Sequence, residues 1–432
     1  MSTSIFISAG EASGERYGAM LVEALQRQLA KTGHEAAYFG MGGERMAAAG
    51  LEQIVRAEDM AVMGLTEVVH HLPRIYREYR KLKRAIRERR PAAAVLIDFP
   101  GLHFNLAAFL HRLGIPVVYF VSPQLWAWKK GRIRKVRKFV SRMMVIFPFE
   151  EPFYREHGVK AEFVGHPLAE MPLPEVSREE FARENGLDPD KTWIGLLPGS
   201  RPKEIREILP DLLRAAQMLA QPDENKIGDG FSDALSSSRE EEEPPAPAAG
   251  PEQKLRRWDA LRKNSLEFVI PLAPTLDKVH RDEVDRLVKI HGGGLPVRLA
   301  GDARATLWHA RASVVASGTA TVEAALIGNP FVVVYRVSPL TYAMAKWLVK
   351  VPHVAMVNLI AGKRVVPELI QSDFTPENII LETMQLLPDG QPRQSMMQEL
   401  ARIRGLLQGG QARNAIDRVA AVTVELMAQK CG

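Results

Sequence analysis

The sequence predicts an α/β protein of two domains, each built on a doubly wound parallel sheet. In the first 170 residues, apolar runs of strand length alternate with longer patterns of helical period. The same alternation begins again after a proline-rich segment at 168–176. Strands that alternate with helices are typical of parallel sheets with helices on both faces, and 432 residues suffice for two buried cores.

Each predicted strand is a short apolar run bounded by polar or turn-forming residues. In the first domain we predict strands at 5–9, 36–39, 94–98, 117–121, 143–147 and 161–164, with helices that include 14–31 and 75–90. In the second domain we predict strands at 193–197, 266–271, 297–299, 313–316 and 331–335, with helices that include 277–290 and 341–349. Helical periodicity from about 396 to 430 ends the chain.

These patterns divide the chain into three segments. We predict domains at 1–170 and 171–390 and a helical tail at 391–432. The tail either returns to the first domain or reaches a second subunit, so a homodimer is one expectation. Residues 221–251 contain SSS, EEEE, PP and APAAG with few large apolar residues, a composition that predicts disorder.

The composition is typical of a soluble cytosolic protein. Hydrophobic residues make up 46% of the chain and charged residues 25%. The single cysteine, Cys431, excludes an intrachain disulfide, which suits a reducing compartment. No apolar run approaches the ~20 residues that span a bilayer, and no basic segment with a cleavage site precedes the first strand. We therefore expect neither a signal peptide nor an integral membrane protein.

Positive charge is concentrated in the first third of the chain. The net charge of +6 divides into +7 for residues 74–90, +8 for residues 129–142 and −9 for the remainder. Such runs are either solvated helix faces or binding surfaces for an anionic partner. No recognised nucleic-acid-binding motif accompanies them. Apolar residues that can enter a lipid interface precede or enter the first run: Met63, Leu65, Val68, Val69, Leu72, Ile75 and Tyr76. An anionic membrane surface is therefore favoured over nucleic acid.

The segment ASVVASGTATVE, residues 312–323, joins a strand to a helix through a turn suited to phosphate. Gly318 lets the backbone approach a ligand, and the first N–H groups of the following helix are unpaired donors. The hydroxyls of this segment add donors, and Glu323 can accept hydrogen bonds from a ribose. The predicted nucleotide-binding residues are Ser317, Gly318, Thr319, Ala320, Thr321 and Glu323. An ordinary capped turn is the alternative.

A second turn of this kind lies in IGLLPGSRPKEI, residues 194–205. Ser200 contributes a hydroxyl, and the guanidinium of Arg201 can fork onto two oxygens of a diphosphate. Two such turns in one domain are more specific for a phosphorylated ligand than either turn alone.

The first domain carries a carboxylate at the end of a predicted strand. In AVLIDFPGLHFN, residues 94–105, Asp98 is a helix cap, a salt-bridge partner or a general base, and we expect it to be ionised at neutral pH without special tuning. His103 is a second titratable group in the expected loop, where a single histidine is more often structural. With Ser13, Glu15, Ser122 and Trp126 it is a candidate acceptor-loop residue. In SAGEASGERYG, residues 8–18, Ser13 is expected to cap a helix, and the glycine spacing matches neither a dinucleotide fingerprint nor a P-loop.

The segment YFVSPQLWAW, residues 119–128, predicts a rigid aromatic loop beside the second basic run. Ser122 and Trp126 in this loop either fill the core or form the wall of a sugar or acyl pocket. The Asp188-Pro189-Asp190 sequence is formally a metal-binding pair, but its polar loop predicts a turn. We expect no metal and no cofactor.

Ten segments in this order resemble the lipid-A-disaccharide synthases, inverting glycosyltransferases of the GT-B fold, in which two Rossmann-like domains face each other across a cleft. The matching segments are GEASGE (10–15), FGMGGERM (39–46), AVMGLTEV (61–68), IDFP (97–100), YFVSPQLWAW (119–128), FPFEEPFY (147–154), FVGHPL (163–168), LLPGSR (196–201), SGTATVEAAL (317–326) and NLIAGKRVVPELIQ (358–371). They cover nearly the whole chain apart from residues 221–251.

The resemblance implies a reaction and a site. The family joins UDP-2,3-diacylglucosamine to 2,3-diacylglucosamine 1-phosphate, forming a β-1,6-linked disaccharide and UDP, and a cytoplasmic enzyme at the inner membrane is implied. By this resemblance, Asp98 matches the family's catalytic aspartate. Arg201 matches an arginine that is expected at the UDP phosphates, and the turn at 317–323 matches the nucleotide-binding turn.

Two residues depart from the family pattern. Glu15 stands where members often have aspartate, and His103 stands where many have asparagine. Other GT-B enzymes of UDP-N-acetylglucosamine, such as a peptidoglycan-type glycosyltransferase or a UDP-sugar 2-epimerase, remain alternatives. A non-catalytic nucleotide-sugar- or RNA-binding protein is the alternative from another class.

Overall fold

The computed structural model of the chain describes residues 3–60, 65–128, 130–220, 266–272, 276, 278–338, 342, 353–409 and 414–431. The chain divides into two compact units. Unit 1 contains residues 1–171, 348–350 and 405–432, and unit 2 contains residues 172–347 and 351–404. The segment 221–251 and the helix predicted at 341–349 lie outside the described residues, apart from Tyr342.

Unit 1 is built on a parallel sheet of seven strands in the order β3-β2-β1-β4-β5-β6-β7. The strands are β1 Thr3–Ala9, β2 Ala36–Gly42, β3 Leu51–Arg56, β4 Ala93–Ile97, β5 Val117–Phe120, β6 Arg142–Val145 and β7 Ala161–Phe163. The central strands β1 and β4 are mostly apolar because helices cover both faces of the sheet. Phe6 and Phe39 are fully buried in the core against this sheet, and burial of such a side chain contributes about 1.5–3 kcal/mol.

The helices of unit 1 follow the strands in alternation. They are α1 Ala12–Ala30, α2 Glu44–Ala48, α3 Leu65–Arg89, α4 Pro100–Arg112, α5 Leu125–Trp128, α6 Ile133–Phe139 and α7 Glu150–Glu156. The last helix of the chain, here α16, Ala415–Cys431, also packs in unit 1, against α1. Arg27 and Gln28 of α1 donate hydrogen bonds to the carboxylate and the backbone carbonyl of Asp417, at 3.2 and 2.8 Å.

Unit 2 has a parallel sheet of six strands in the order β10-β9-β8-β11-β12-β13. The strands are β8 Thr192–Leu197, β9 Leu266–Pro271, β10 Val297–Ala300, β11 Ala312–Ala316, β12 Phe331–Tyr335 and β13 Glu368–Ile370. The helices are α8 Arg178–Asn185, α9 Pro202–Ala220, α10 Lys278–His291, α11 Ala303–His309, α12 Thr319–Ile327, α13 Met356–Ala361, α14 Pro376–Leu386 and α15 Gln391–Leu407. The predicted α/β class with two doubly wound sheets is confirmed.

The strand order reverses once in each sheet. In unit 1 the reversal lies between β1 and β4, and in unit 2 between β8 and β11. Doubly wound sheets bind ligands at the carboxyl ends of the strands where this reversal occurs, because the flanking loops diverge there. The fold thus marks one edge position in each unit as a binding site.

Two observed strands were not predicted. β3 is Leu51–Arg56, in which three of six residues are polar or charged and burial alternates only in part. β13 has three residues, Glu368–Ile370, a length at which periodicity carries no signal.

Candidate active site

Asp98 lies at the reversal point of unit 1, directly after β4. Register pairs Ala9 of β1 with Ile97 of β4, so that the turn after β1 runs beside the turn that holds Asp98. Gly10 begins that turn, and a Cβ atom on it would lie 2.5 Å from the ring of Phe99. Glycine is therefore required for the two turns to approach this closely.

The Asp98 turn is strained. Asp98 and Phe99 both have φ of 50°, in the left-handed region, which costs a residue other than glycine about 1–2 kcal/mol. Val121, at the end of the neighbouring strand β5, has φ of 62°. Strained residues of this kind cluster at functional sites, where surrounding contacts hold them in place.

The pKa of Asp98 is raised to about 7, chiefly by burial and then by the negative charge of Glu11. A hydrogen bond from the backbone N–H of Phe99 opposes these effects. The expectation that Asp98 is ionised at neutral pH without tuning was therefore wrong, because it used the pKa of a solvated side chain. A carboxylate with a pKa near the working pH is matched to the role of a general base.

His103 lies in α4 rather than in a loop, and it is completely buried. Nδ1 is 2.6 Å from the carbonyl oxygen of Asp98, and Nε2 is 2.8 Å from the hydroxyl of Ser8. Burial lowers the pKa of His103 to about 4, so the ring is neutral. With no exposed surface, it does not line a binding surface in this conformation, contrary to its prediction as an acceptor-loop residue.

The turn after β1 differs in detail from its prediction. Helix α1 begins at Ala12 with Glu11 at the N-cap, so Ser13 is not the capping residue. The carboxylate of Glu15 accepts a hydrogen bond of 2.8 Å from the backbone N–H of Arg45, in the first turn of α2. Glu15 thereby joins α1 to the start of α2, which is a structural role for this departure from the family pattern.

The aromatic loop is anchored by a buried carboxyl group. Ser122 is buried, and its hydroxyl lies 2.6 Å from that of Tyr154. The indole N–H of Trp126 donates to Glu150 at 3.3 Å, and the ring packs edge-on against Phe149. Burial raises the pKa of Glu150 to about 8. These contacts tie Ser122 and Trp126 to α7 and to Phe149, which directly precedes it.

The reversal point of unit 2 brings the two predicted phosphate turns together, because β8 and β11 are neighbours in the sheet. Gly318 is the N-cap of α12 with φ of 155° and ψ of −160°, a conformation that is essentially restricted to glycine. No side chain in the described part of the chain caps this helix. Ser317 and Ala320 are half-buried, and Thr319 is exposed. The first N–H groups of α12 therefore form a donor set suited to a phosphate.

Thr321 and Glu323, the last two predicted residues of this turn, lie inside α12. Thr321 is buried, and its hydroxyl donates a hydrogen bond of 2.7 Å to the carbonyl oxygen of Gly318. The prediction that this hydroxyl faces the nucleotide was wrong, because it is used to close the first turn of α12. Glu323 lies half-buried in the second turn of the same helix.

Arg201 stands at the start of α9, on the turn that follows β8. Its side chain is 58% exposed, and Nη1 lies 3.3 Å from the carboxylate of Glu204. The other carboxylate oxygen of Glu204 accepts from the backbone N–H of Arg201 at 3.3 Å, which completes half of a capping box. Ser200 is exposed beside it. The guanidinium is thus held at the edge of the sheet while most of its donors face solvent.

Sequence reasoning missed three contributors to the site of unit 1. Glu11 raises the pKa of Asp98. The hydroxyl of Tyr119 donates a hydrogen bond of 2.7 Å to the carbonyl oxygen of Asp98, and the hydroxyl of Ser8 is hydrogen-bonded to His103. Glu11 was detectable, because it directly follows Gly10 in the turn after β1. Tyr119 and Ser8 lie inside strands, and the sequence gives no sign of which inward side chains meet.

No group of three or more metal-binding side chains occurs in the part of the chain that the structure describes. Asp188 accepts a hydrogen bond from the backbone N–H of Asp190 at 3.1 Å, which is the predicted turn. Among the described helices, none combines the length and the apolar character needed to cross a bilayer.

Comparison with known proteins identifies a family model and close relatives that match nearly the whole chain. A family model described as lipid-A-disaccharide synthetase matches residues 5–230 and 269–422. The lipid-A-disaccharide synthase of Acidobacterium capsulatum is 52% identical and aligns over 99% of this chain and 97% of its own length. That of Koribacter versatilis is 47% identical over 99% of both chains.

Solved structures of lower similarity share the fold. The UDP-GlcNAc 2-epimerase from Neisseria meningitidis has a TM-score of 0.56 at 10% identity, covering 99% of this chain and 100% of that one. The calicheamicin glycosyltransferase CalG4 has a TM-score of 0.55 at 16% identity, covering 99% of both chains. At these identities the likeness concerns the fold alone.

Two doubly wound units, each with ligand-suited turns at its reversal point, define a protein of the GT-B class. Within that class, the chain belongs to the family of lipid-A-disaccharide synthases. It is accordingly a glycosyltransferase of lipid A biosynthesis.

Proposed function

We propose that the chain transfers 2,3-diacylglucosamine from UDP-2,3-diacylglucosamine to the 6-hydroxyl of 2,3-diacylglucosamine 1-phosphate. The bond between the sugar C1 and UDP breaks, a β-1,6 bond to the acceptor oxygen forms with inversion, and the hydroxyl proton leaves. The observation that carries this proposal is the half-buried, strained Asp98 at the reversal point of unit 1, with a pKa raised to about 7.

Asp98 is the proposed general base. The ionised carboxylate takes the proton of the acceptor hydroxyl as the oxygen attacks the sugar carbon. A positioned base of this kind contributes about 10²–10⁴ in rate.

Unit 2 is proposed to bind UDP. The uncapped N–H groups of α12 and the guanidinium of Arg201 stabilise the negative charge that grows on UDP as it leaves. Ser200, Ser317 and Thr319 supply further donors, and Glu323 is assigned to the ribose. The backbone N–H groups are fixed by the helix, so they require little reorganisation during the reaction.

The test of this reaction is UDP release, measured with the UDP-sugar alone and with the acceptor added. We expect release to depend on the acceptor and a disaccharide to appear in equal amount. Conversion of the UDP-sugar to an epimer in the absence of acceptor would instead identify a 2-epimerase. Binding of RNA without UDP release would identify the non-catalytic alternative.

The pH dependence of turnover should report Asp98. Because its pKa is raised to about 7, the carboxyl group is protonated below that pH and cannot accept a proton. We expect kcat to fall about tenfold per pH unit on the acid side of an apparent pKa of about 7. A pH–rate profile of the purified enzyme measures this.

Glu11→Gln tests the electrostatic part of this shift. Removal of the neighbouring negative charge lowers the pKa of Asp98, so the acid limb of the profile moves to lower pH. Glu23→Gln, an exposed change on the same helix, should leave the profile in place. A Glu11→Gln profile identical to wild type would remove Glu11 from the site.

We also propose that the enzyme works in the cytoplasm and docks on the anionic surface of the inner membrane through unit 1. The two basic runs are not equivalent. In the first, Arg74 pairs with Asp59 and Arg89 with Glu52, so part of the charge counted from the sequence is neutralised. The second run offers more unpaired charge. Its cations on α6 have no ion-pair partner among the described residues: Arg134, Lys135, Arg137 and Lys138.

Liposome binding distinguishes the two runs. Serine substitution of the four cations on α6 should weaken binding to phosphatidylglycerol vesicles about 100-fold or more at low salt, since each cation contributes about 1 kcal/mol. The matched control is Arg74→Ser with Arg89→Ser, whose charges are already paired, and it should have a smaller effect. Binding that is indifferent to salt and to the α6 changes contradicts the docking proposal.

A further inference from the structure

The carbonyl oxygen of Asp98 receives two hydrogen bonds from inside unit 1. Nδ1 of His103 lies 2.6 Å away and the hydroxyl of Tyr119 lies 2.7 Å away. His103 and Tyr119 are completely buried, on α4 and β5 respectively. The carbonyl that belongs to the strained turn is thus held by groups that water and substrate do not reach in this conformation.

The contacts assign the donors and acceptors among the Asp98 carbonyl, the His103 ring and the Ser8 hydroxyl. A carbonyl oxygen only accepts hydrogen bonds, so Nδ1 of His103 carries the proton. The ring is neutral, and Nε2 is therefore an acceptor for the hydroxyl of Ser8, at 2.8 Å. Ser8 is completely buried in β1, and its hydroxyl fixes the ring nitrogen that bears the proton.

The contacts explain why the left-handed turn persists. Asp98 and Phe99 both have φ of 50°, a conformation that relaxes unless neighbouring groups hold it. The ring of Phe99 occupies the space left by the missing side chain of Gly10, and it contacts the ring of His103 edge-on at 5.7 Å. Hydrogen bonds thus hold the carbonyl group of Asp98, and packing holds the side chain of Phe99.

We propose that Ser8, His103 and Tyr119 form a positioning clamp that holds the Asp98 carboxylate in its reactive place through its own backbone carbonyl. This inference rests on the proposed role of Asp98 as the general base. None of the three residues touches substrate in this scheme. The clamp also assigns a function to the histidine that stands where many family members have asparagine, since an asparagine amide N–H can donate to the same carbonyl.

The experiment compares Tyr119→Phe, His103→Leu and His103→Asn with wild type by kcat, by KM for both substrates and by UDP affinity. Each loss of a donor should lower kcat about 10- to 100-fold, because small displacements of a reacting group cost this much. KM and UDP affinity should stay within about threefold, and His103→Asn should recover most of the kcat lost in His103→Leu. Tyr38→Phe is the control, since the Tyr38 side chain packs in the same sheet and its hydroxyl makes no hydrogen bond among the described residues.

A double variant separates this inference from the proposed function. Addition of Tyr119→Phe to Asp98→Asn should cause no further loss if Tyr119 acts through Asp98. Folded Tyr119→Phe and His103→Leu enzymes with full kcat, beside an inactive Asp98→Asn, would overturn the clamp alone. An Asp98→Asn enzyme with wild-type turnover would overturn the general base, and the clamp with it. Should His103→Leu fail to fold, Tyr119→Phe carries the test by itself.

Discussion

Asp98→Asn is expected to lower kcat by about 10²–10⁴ while KM for both substrates stays nearly unchanged. The amide has the size of the carboxylate and can still accept the hydrogen bond from Phe99, but it cannot take a proton. The measurement is steady-state UDP release with saturating acceptor. Turnover near the wild-type rate in a folded variant would remove Asp98 from the mechanism.

The same substitution should stabilise the protein at alkaline pH. A carboxyl group whose pKa is raised in the folded state opposes folding once it ionises, and this cost grows from about pH 4 to about pH 7. Asp98→Asn removes that cost, so its free energy of unfolding at pH 8 should exceed that of wild type, by at most about 4 kcal/mol. Activity and stability then move in opposite directions at one residue, as expected where strain and burial are retained for catalysis.

Asp188→Asn is the matched control for this change. Asp188 belongs to the formal metal-binding pair, but its carboxylate accepts the backbone N–H of Asp190 in an ordinary turn. We expect kcat to stay within about twofold of wild type and the melting temperature to fall slightly.

The architecture could be predicted from the sequence because buried parallel strands are continuous apolar runs. β9 and β12 were predicted at their observed bounds, and both are almost completely buried. β3 and β13 were missed because neither is a continuous apolar run: β3 contains Glu52, Gln53 and Arg56, and β13 begins with Glu368. The order of the strands, which sets the reversal points, follows from long-range pairing and left no local signal.

The candidate site also contains features that could be predicted from the sequence and features that could not. Asp98, Gly318 and Arg201 could be proposed from the sequence because each stands at a strand end, where α/β sheets carry ligand-binding groups. The pKa of Asp98 and the orientation of the Thr321 hydroxyl could not be found, since both depend on which atoms surround the group after folding. His103 lies in α4 rather than in the expected loop because Pro100 occupies the first position of that helix, which suits proline.

Arg201→Ala is expected to lower kcat/KM by about 10²–10³, the range found when a preorganised donor to a developing oxyanion is removed. In the structure the guanidinium is anchored by Glu204 at 3.3 Å and otherwise exposed, so its remaining donors are available to the diphosphate. Arg201→Lys should recover only part of the loss, because an ammonium group is a point charge without the planar fork. The measurements are kcat/KM for the UDP-sugar and the inhibition constant of UDP.

Arg206→Ala supplies the control for lost charge on the same helix. Arg206 is an exposed arginine of α9 that pairs with Glu283 at 2.6 Å, away from the turn that follows β8. Its removal should leave kcat/KM within about twofold, since an exposed pair contributes about 0–1 kcal/mol to stability and nothing to the transition state. Equal losses of kcat/KM in the two variants would mean that Arg201 contributes only its positive charge to the electrostatic field of the domain. A loss confined to Arg201, with weaker inhibition by UDP, supports a direct bond to the leaving group.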